Sequence, residues 1–547
     1  MKIRLENLKL SLDVPQEALL QAAAKKLNLK GQQIGDLKIR KKSLDARKKQ
    51  DLKFVYTIDA ELPDQVATKI LHKHLPGVSK VEEALPPKLV RGDKQLAVPP
   101  IVIGAGPSGL FAALKLALLG YKPLVLERGK KVAERRKDIT EFWTTGKLDL
   151  DSNMQFGEGG AGTYSDGKLT TRSKDPKVAE VLEYLVEAGA PPEITYIQKP
   201  HLGTDKLEKI VANLGAKITS LGGQIFFQAK VTDLIINHNR LEAIEVNQQY
   251  ELPAQLVVLA TGHSARDVFE LLAKREVTLE TKPFAMGVRI EHQQSFINKA
   301  QYGDFAEHPS LGAADYKLTY QSKQYQRGAY SFCMCPGGYV VACSSEKNTV
   351  VTNGMSEYAR DSGLANSALV VTISPDDFPS PGPLGGIAFQ RQWERKAFQL
   401  GGSNYHAPGQ TVEDFLQDRP SSSLEGKVKP TYRPGLNPAN LRESLPKEVG
   451  EVLQEALVDF NQKIKGFAQE DAVLTGVETR TSSPVRIVRS KDCTAHDHIG
   501  IYPVGEGAGY AGGIVSAAVD GLRAAEAIIT NYGLPQKQHQ LNFFADK

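Results

Sequence analysis

Cysteine is scarce in this chain. Four in 547 residues are too few for a disulfide framework, which fits a reducing compartment. No secretory signal is expected either, since the opening MKIRLENLKLSL interleaves charges with apolar residues and has no apolar centre. No run is long and apolar enough to span a bilayer. The strongest stretch, Ile101 to Leu119, is broken by a Gly-rich turn with Pro107 and then by Lys115, so it reads as strand, turn and helix. Charged residues at 24% beside hydrophobic residues at 41% leave no surplus of charge that would imply disorder. The expectation is a cytoplasmic protein, without a membrane partner, that folds throughout. Its length calls for two or three domains.

The net charge of +5 is unevenly spread: residues 1 to 98 hold 20 Lys+Arg against 12 Asp+Glu, leaving −3 for the remainder. The front of the chain alternates strand-like runs (Lys2 to Leu12, Leu37 to Ser43, Lys53 to Ala60, Val78 to Val81) with helical ones (Pro15 to Leu27, Asp64 to His74). That order predicts a small basic α+β domain over 1–95, ferredoxin-like in outline. Leu85-Pro86-Pro87 and Val98-Pro99-Pro100 bracket a polar connector. From Pro100 a strand, a Gly-rich turn, a helix and a second strand make a βαβ unit. A further core stretch runs from Gln224 to Gly262, with hairpin-like strands around His238-Asn239. Between them a helix is expected over Pro176 to Ala188, capped by Asp175. Residues 280–475 turn to alternating runs (Ala285 to Ile290, Tyr330 to Cys333, Tyr339 to Ala342, Leu369 to Ile373) separated by Pro/Gly/Ser-rich loops at Pro375 to Gly386 and Arg419 to Pro438. They predict a substrate-side α+β domain with a mainly antiparallel sheet, inserted into a core formed by 96–279 and 476–547. The fold class is therefore α/β, a Rossmann-like domain with a β insert and the small N-terminal domain.

Gly104-Ala105-Gly106-Pro107-Ser108-Gly109 fits G-x-G-x-x-G between an apolar strand and an apolar helix. Gly104 makes the turn, Gly106 admits a pyrophosphate to the backbone, and Gly109 lets helix and strand pack closely. The helix start, at Pro107 and Ser108, offers free amides to phosphate. Glu127 follows Gly104 by 23 residues, the place of a carboxylate that accepts ribose hydroxyls. These features do not separate NAD from FAD.

Glu127-Arg128, Ala260-Thr261-Gly262 and the run Tyr502 to Ile514, with Gly505, Glu506 and Gly513, together resemble the FAD-binding motifs of the glutathione-reductase-type flavoproteins. In that family the Thr-Gly step passes near the adenine half and the late Gly-acid motif holds the ribityl chain; Glu506 stands where most relatives have Asp. Ser43 to Lys49, Phe156 to Leu169, Phe332 to Gly338 and Gly505 to Ile514 further resemble a group of uncharacterised bacterial FAD-dependent dehydrogenases. The resemblance implies FAD as cofactor and hydride transfer at flavin N5 on a small molecule, with Gly160, Gly162, Thr163 and Val231 joining the cofactor contacts. Independently of any family, a second helix start near Gly513-Ile514 can face a flavin edge, where its dipole favours the reduced ring.

The loop Gly157 to Gly167 carries five glycines, followed by Lys168, and can lie against a flat ring; the alternative is a plain connector. Cys333-Met334-Cys335 is the tempting redox pair, but C-x-C is awkward for a disulfide and free Cys is a common core residue. Thr163, Lys168, Cys333 and Cys335 are the candidate catalytic residues. His201 and Arg289 are candidate substrate contacts or proton donors, the alternative for either being a capping or ion-pairing residue. Cys493, His496 and His498 lack a fourth ligand at a known spacing, so no metal is expected. No second nucleotide fingerprint follows residue 262, so electrons come from a substrate, a transiently bound NAD(P)H or a partner protein. The alternative function is a redox sensor or docking protein that meets RNA or an acidic partner through Lys38, Arg40, Lys41, Lys42, Arg47, Lys48 and Lys49. Phe54 and Tyr56 are the only aromatics in the front domain, too few to stack bases, which disfavours nucleic acid.

Overall fold

The computed structural model describes residues 1–82 and 89–539; the Leu85-Pro86-Pro87 connector lies outside the described residues. The front of the chain is a four-stranded antiparallel sheet in the order Leu37–Asp45, Lys53–Glu61, Lys2–Ser11, Val78–Lys80, with helices Leu19–Leu27 and Asp64–Leu71. Its first strand shows how local geometry redirects a hydrophobic pattern. Ile3 and Leu5 are buried at odd positions, then Leu8 and Leu10 at even ones. The switch falls at a break in register between Leu5 and Leu8, where Asn7 takes φ +57°; such a bulge turns the following side chains to the other face. The domain is tied to the rest by a few polar bonds. Lys42 N–H donates to Tyr196 O at 2.7 Å and Gln198 N–H to Lys42 O at 2.9 Å, while Lys49 Nζ donates to Ala300 O at 2.6 Å.

The core is a five-stranded parallel sheet in the order Ile501–Pro503, Val257–Leu259, Ile101–Ile103, Leu124–Leu126, Gln224–Phe226. Its strands are short and buried on both faces. Val102, Val125 and Val258 pack on helices Pro107–Leu118 and Ile514–Asn531. Ile101, Leu124 and Val257 pack on the antiparallel strands Val231–Asn237, Arg240–Val246 and Tyr250–Pro253 and on helix Arg266–Lys274. Helix Pro107–Leu118 packs on helix Ile514–Asn531 so closely that a Cβ at Gly521 would overlap the Ser108 carbonyl. Helix Lys177–Glu187 begins where Asp175 Oδ1 accepts from Lys177 N–H at 2.8 Å.

The insert is a seven-stranded sheet in the order Thr319–Gln321, Gly328–Cys335, Leu364–Ile373, Phe284–Gln293, Val473–Glu478, Ala407–Thr411, Leu436–Pro438, antiparallel except for the last pair. Strand alternation gives it two unlike faces. Met286, Val288 and Ile290 join Leu369, Val371 and Ile373 in one apolar core. Ala285, Arg289 and Glu291 point the other way and are equally buried.

One expected boundary needs correction here. Strand Val473–Glu478 runs through the boundary placed at 475, because its pairing with Phe284–Gln293 continues to Glu478. Region 280–475 also contains two long helices, Gly385–Leu400 and Lys447–Lys463, which pack on the sheet's apolar core through Phe389, Trp393, Leu453 and Phe460. No helix among the described residues is long and apolar enough to cross a membrane.

Candidate functional site

Between core and insert lies a cleft of about 390 Å³. One wall is mostly backbone. Gly104 has φ +101°, and a Cβ there would press on the Ala260 carbonyl. Gly106 caps the helix that starts at Pro107, and Gly160 comes so near that a Cβ on it would be 3.0 Å from Gly106 Cα. Glu127 ties this wall together. Its Oε2 accepts from Ala105 N–H at 2.7 Å, and its Oε1 from Gly129 N–H at 3.0 Å and Gly157 N–H at 2.9 Å. With Oε1 doubly engaged, only Oε2 keeps a lone pair for a ribose hydroxyl. Arg128 reaches Asp267 at 2.8 Å and stacks on Phe156 at 4.4 Å.

The Gly-rich loop is held from behind by Arg135, which is fully buried. Its guanidinium donates to the carbonyls of Asn153 at 2.8 Å, Met154 at 3.1 Å, Glu158 at 2.8 Å and Gly160 at 2.9 Å. Thus the loop is a fixed surface, not a plain connector. The late motif is fixed in the same manner: Gly505 N–H donates to Asp520 Oδ2 at 2.7 Å, and Arg489 pairs with both oxygens of Asp520. Burial pushes the Glu506 carboxyl up to about 7, against the pull of Lys282. Gly513 caps the helix that begins at Ile514. A Cβ at Gly262, Gly512 or Gly513 would meet nothing within 4 Å.

The opposite wall is made of side chains. Lys168 Nζ donates to Asp166 Oδ2 at 2.6 Å. Asp166 also binds Arg360 Nε at 2.9 Å and the Ser356 hydroxyl. Burial opposes charge on Lys168, but the nearby Cys335 sulfur and Asp166 outweigh it and raise the ammonium's pKa. Cys333 lines the cleft with φ +41°, at a break in register between Phe332 and Cys335. Arg289, completely buried, pairs with Glu478 at 2.9 and 3.1 Å and donates to Asn366 at 2.8 Å, Asn353 at 3.0 Å and Cys333 O at 3.2 Å. Behind Arg480, Glu394 accepts from Arg480 Nη2 at 3.0 Å and from Arg266 at 2.7 and 2.9 Å. Burial, then Arg480 and Arg266, push the His263 imidazole down to about 3, so it is neutral at physiological pH.

Of the residues singled out from the sequence, the cleft gathers Gly104, Gly106, Pro107, Ser108, Glu127, Arg128, Gly160, Gly162, Lys168, Val231, Thr261, Gly262, Cys333, Glu506, Gly513 and Ile514. Several do not line it, Arg289 among them. Gly109 lies under the turn, where a Cβ would overlap the Gly104 carbonyl oxygen. Gly505 backs onto Ser108. Thr163 is buried, its hydroxyl turned to Glu158 O, so the catalytic and cofactor roles given to it are withdrawn. Cys335 is fully buried and donates to Cys333 O at 3.2 Å; it stands behind the lining. His201 is stacked on Tyr358 and bonded to its carbonyl at 3.0 Å, outside the lining. Cys493 is buried, and no group of three or more metal-ligating side chains occurs among the described residues. Sequence reasoning missed Arg135, His263, Asn353, Glu478 and Arg480. Only His263, one step beyond Thr261-Gly262, had a nearby motif to point to it.

The cleft suits an extended dinucleotide: a helix N-terminus for phosphate, an acid beside it, and glycine positions left open at its further end. The comparisons name the class. A family described as "FAD-dependent protein, C-terminal domain-like" matches residues 283–481, and a domain of unknown function, DUF8436, matches residues 2–61. FAD is the cofactor of this protein. The chain belongs to the same family as an uncharacterized protein of Clostridium beijerinckii, to which it is 48% identical over 537 residues, covering 98% of this chain and all of that one. It is also 27% identical over 186 residues to the thiamine thiazole synthase of Aeropyrum pernix, a match spanning 31% of this chain and 57% of that protein. A solved geranylgeranyl bacteriochlorophyll reductase-like protein from Thermoplasma acidophilum is similar at 13% identity and TM-score 0.33, over 80% of this chain and 78% of that one.

Proposed function

We propose that this protein is a flavin-dependent oxidoreductase whose small-molecule substrate enters between the Gly-rich loop and the strand carrying Cys333. The observation that carries this reading is that Lys168 and Cys333 line the same cleft as Gly104, Gly106, Ser108 and Gly512–Ile514. FAD, when bound, supplies a two-electron centre that exchanges a hydride. The chain supplies the rest. Gly106, Ser108 and the helix start hold phosphate, Glu127 holds a ribose hydroxyl, and Glu506 contacts the polyol chain. Lys168, fixed by Asp166 and 32% exposed, keeps free N–H donors for a carbonyl or carboxylate of the substrate and steadies negative charge that develops there. Phe332, 36% exposed, offers the apolar part of the substrate a surface.

Electrons reach the cleft from the substrate itself, from NAD(P)H held transiently, or from a partner protein. Anaerobic titration of the FAD-loaded protein with NADH, NADPH and a metabolite panel tests this. At least one compound is expected to bleach the flavin band, with Lys168→Ala raising the concentration required about tenfold or more. If dithionite bleaches the flavin and no compound in the panel does, the oxidoreductase reading fails in favour of a sensor or docking role.

A further inference from the structure

We propose that Cys333 and Cys335 are a dithiol–disulfide pair that takes two electrons from the flavin and hands them to an external disulfide. The proposal rests on the reading of the cleft as the flavin site. Two residues apart on a regular strand, side chains share a face but stand nearly 7 Å apart by the usual rise per residue, beyond the reach of a disulfide. Here the strand is not regular. The left-handed turn at Cys333 and the break in register around it fold the segment back on itself, so Cys335 Sγ lies 3.2 Å from the Cys333 carbonyl. A non-glycine residue at φ +41° is costly, and such strain persists only where its surroundings impose it. Arg289 imposes it by binding Cys333 O.

The pair is also asymmetric in the way thiol exchange needs. Cys333 lines the cleft, and Cys335 lies fully buried behind it. The Cys335 thiol, then Lys168 and Arg289, favour the thiolate of Cys333 over the opposing effect of burial, while its bond to Cys333 and its burial push the Cys335 thiol up. The remaining cysteines differ: burial raises both Cys343 and Cys493, and neither lines the cleft.

The exchange balances. Cys333 thiolate attacks one sulfur of the external disulfide, breaking its S–S bond and releasing the first thiol. Cys335 then attacks Cys333 Sγ, releasing the second thiol and closing the Cys333–Cys335 bond; the two cysteine protons leave on the two product thiols. Two electrons from the reduced flavin, with two protons, break that bond again.

Anaerobic dithionite titration of the air-oxidised, FAD-loaded protein reads this directly. Wild type is expected to take up about four electrons per FAD, two for the flavin and two for the disulfide, while Cys335→Ser and Cys333→Ser each take up about two. Denatured without reductant, oxidised wild type should expose two of its four thiols, and the peptide bearing residues 332–338 should be lighter by two hydrogens. Uptake of two electrons with all four thiols free would overturn the proposal. The wild-type measurements decide even if a variant fails to fold. Failure of the flavin to load or bleach would instead strike the cofactor site itself.

Discussion

The two walls of the cleft are made of different material. On the core side the lining is backbone, with glycines where a Cβ would collide or where space is left open, and Glu127 spends most of its hydrogen-bonding capacity on three main-chain amides. On the insert side the lining is charged side chains held by buried partners, Glu478 by Arg289 and Arg480 by Glu394. A cofactor that is the same in every turnover is recognised by close approach, which needs few atoms and no moving parts. A substrate must be oriented and its charge answered, which needs donors that are fixed but not saturated. Deep ion pairs supply such donors at the expense of desolvation.

The largest test of the difference lies in the backbone wall. In Gly109→Val the new Cβ would overlap the Gly104 carbonyl oxygen, a main-chain atom held in the fingerprint turn. Loss of FAD and of the soluble folded protein is expected. Gly512→Ala, where nothing stands within 4 Å, should fold with an unchanged melting temperature. The ratio of flavin to protein absorbance after purification checks the first and a thermal melt the second; a Gly109→Val protein that retains FAD would show that helix and strand need not pack so closely.

A smaller effect is expected in the charged wall. Glu394 is fully buried and answers both Arg266 and Arg480, so Glu394→Ala leaves two buried guanidiniums short of their shared carboxylate. A loss of about 3–5 kcal/mol in denaturant unfolding is expected, as for breaking a buried ion pair. A loss below about 1 kcal/mol would mean that Glu346 and water take over the role.

The contrast also explains what the sequence makes legible. The backbone wall is written in contiguous motifs, since Gly104 to Gly109 and Glu127 act through spacing along one βαβ unit, and the core could be read from them. The charged wall joins residues far apart: Arg289 and Glu478 are 189 positions from each other, and Glu394 and Arg480 are 86 apart. No local pattern encodes such pairs. Arg135 escaped notice because its partners are four carbonyls, which carry no side-chain signature. Helix Gly385–Leu400 was hidden for a related reason. Its buried face includes Gln390 and Glu394, so the apolar stripe that would announce it is interrupted by the residues that serve the cleft.

The smallest expected effect compares two carboxylates on the buried face of the insert. Glu478 is matched by a guanidinium, whereas Glu291, two residues along the strand from Arg289, has as its hydrogen-bond donors the Thr431 hydroxyl at 2.6 Å and amide at 3.1 Å. Burial therefore pushes Glu291 up to about 7, with Thr431 and Arg289 only partly resisting. In the unfolded chain the same carboxyl titrates near the ordinary value of about 4.3. Between those two values the folded protein holds a proton that the unfolded chain has lost, so stability falls as pH rises through this window and the loss is complete above pH 7. His292, whose imidazole burial pushes down to about 4, slopes the opposite way below its ordinary value, so the wild-type curve alone does not isolate Glu291. The difference between wild type and Glu291→Gln does, because His292 is common to both. Relative to the variant, wild type should lose stability from pH 5 to pH 8, by no more than about 3 kcal/mol for a shift of this size. Urea unfolding of the two proteins at both pH values measures it. Parallel pH dependences would show that Glu291 is ionised in the fold and that its two donors from Thr431 are match enough for a buried charge.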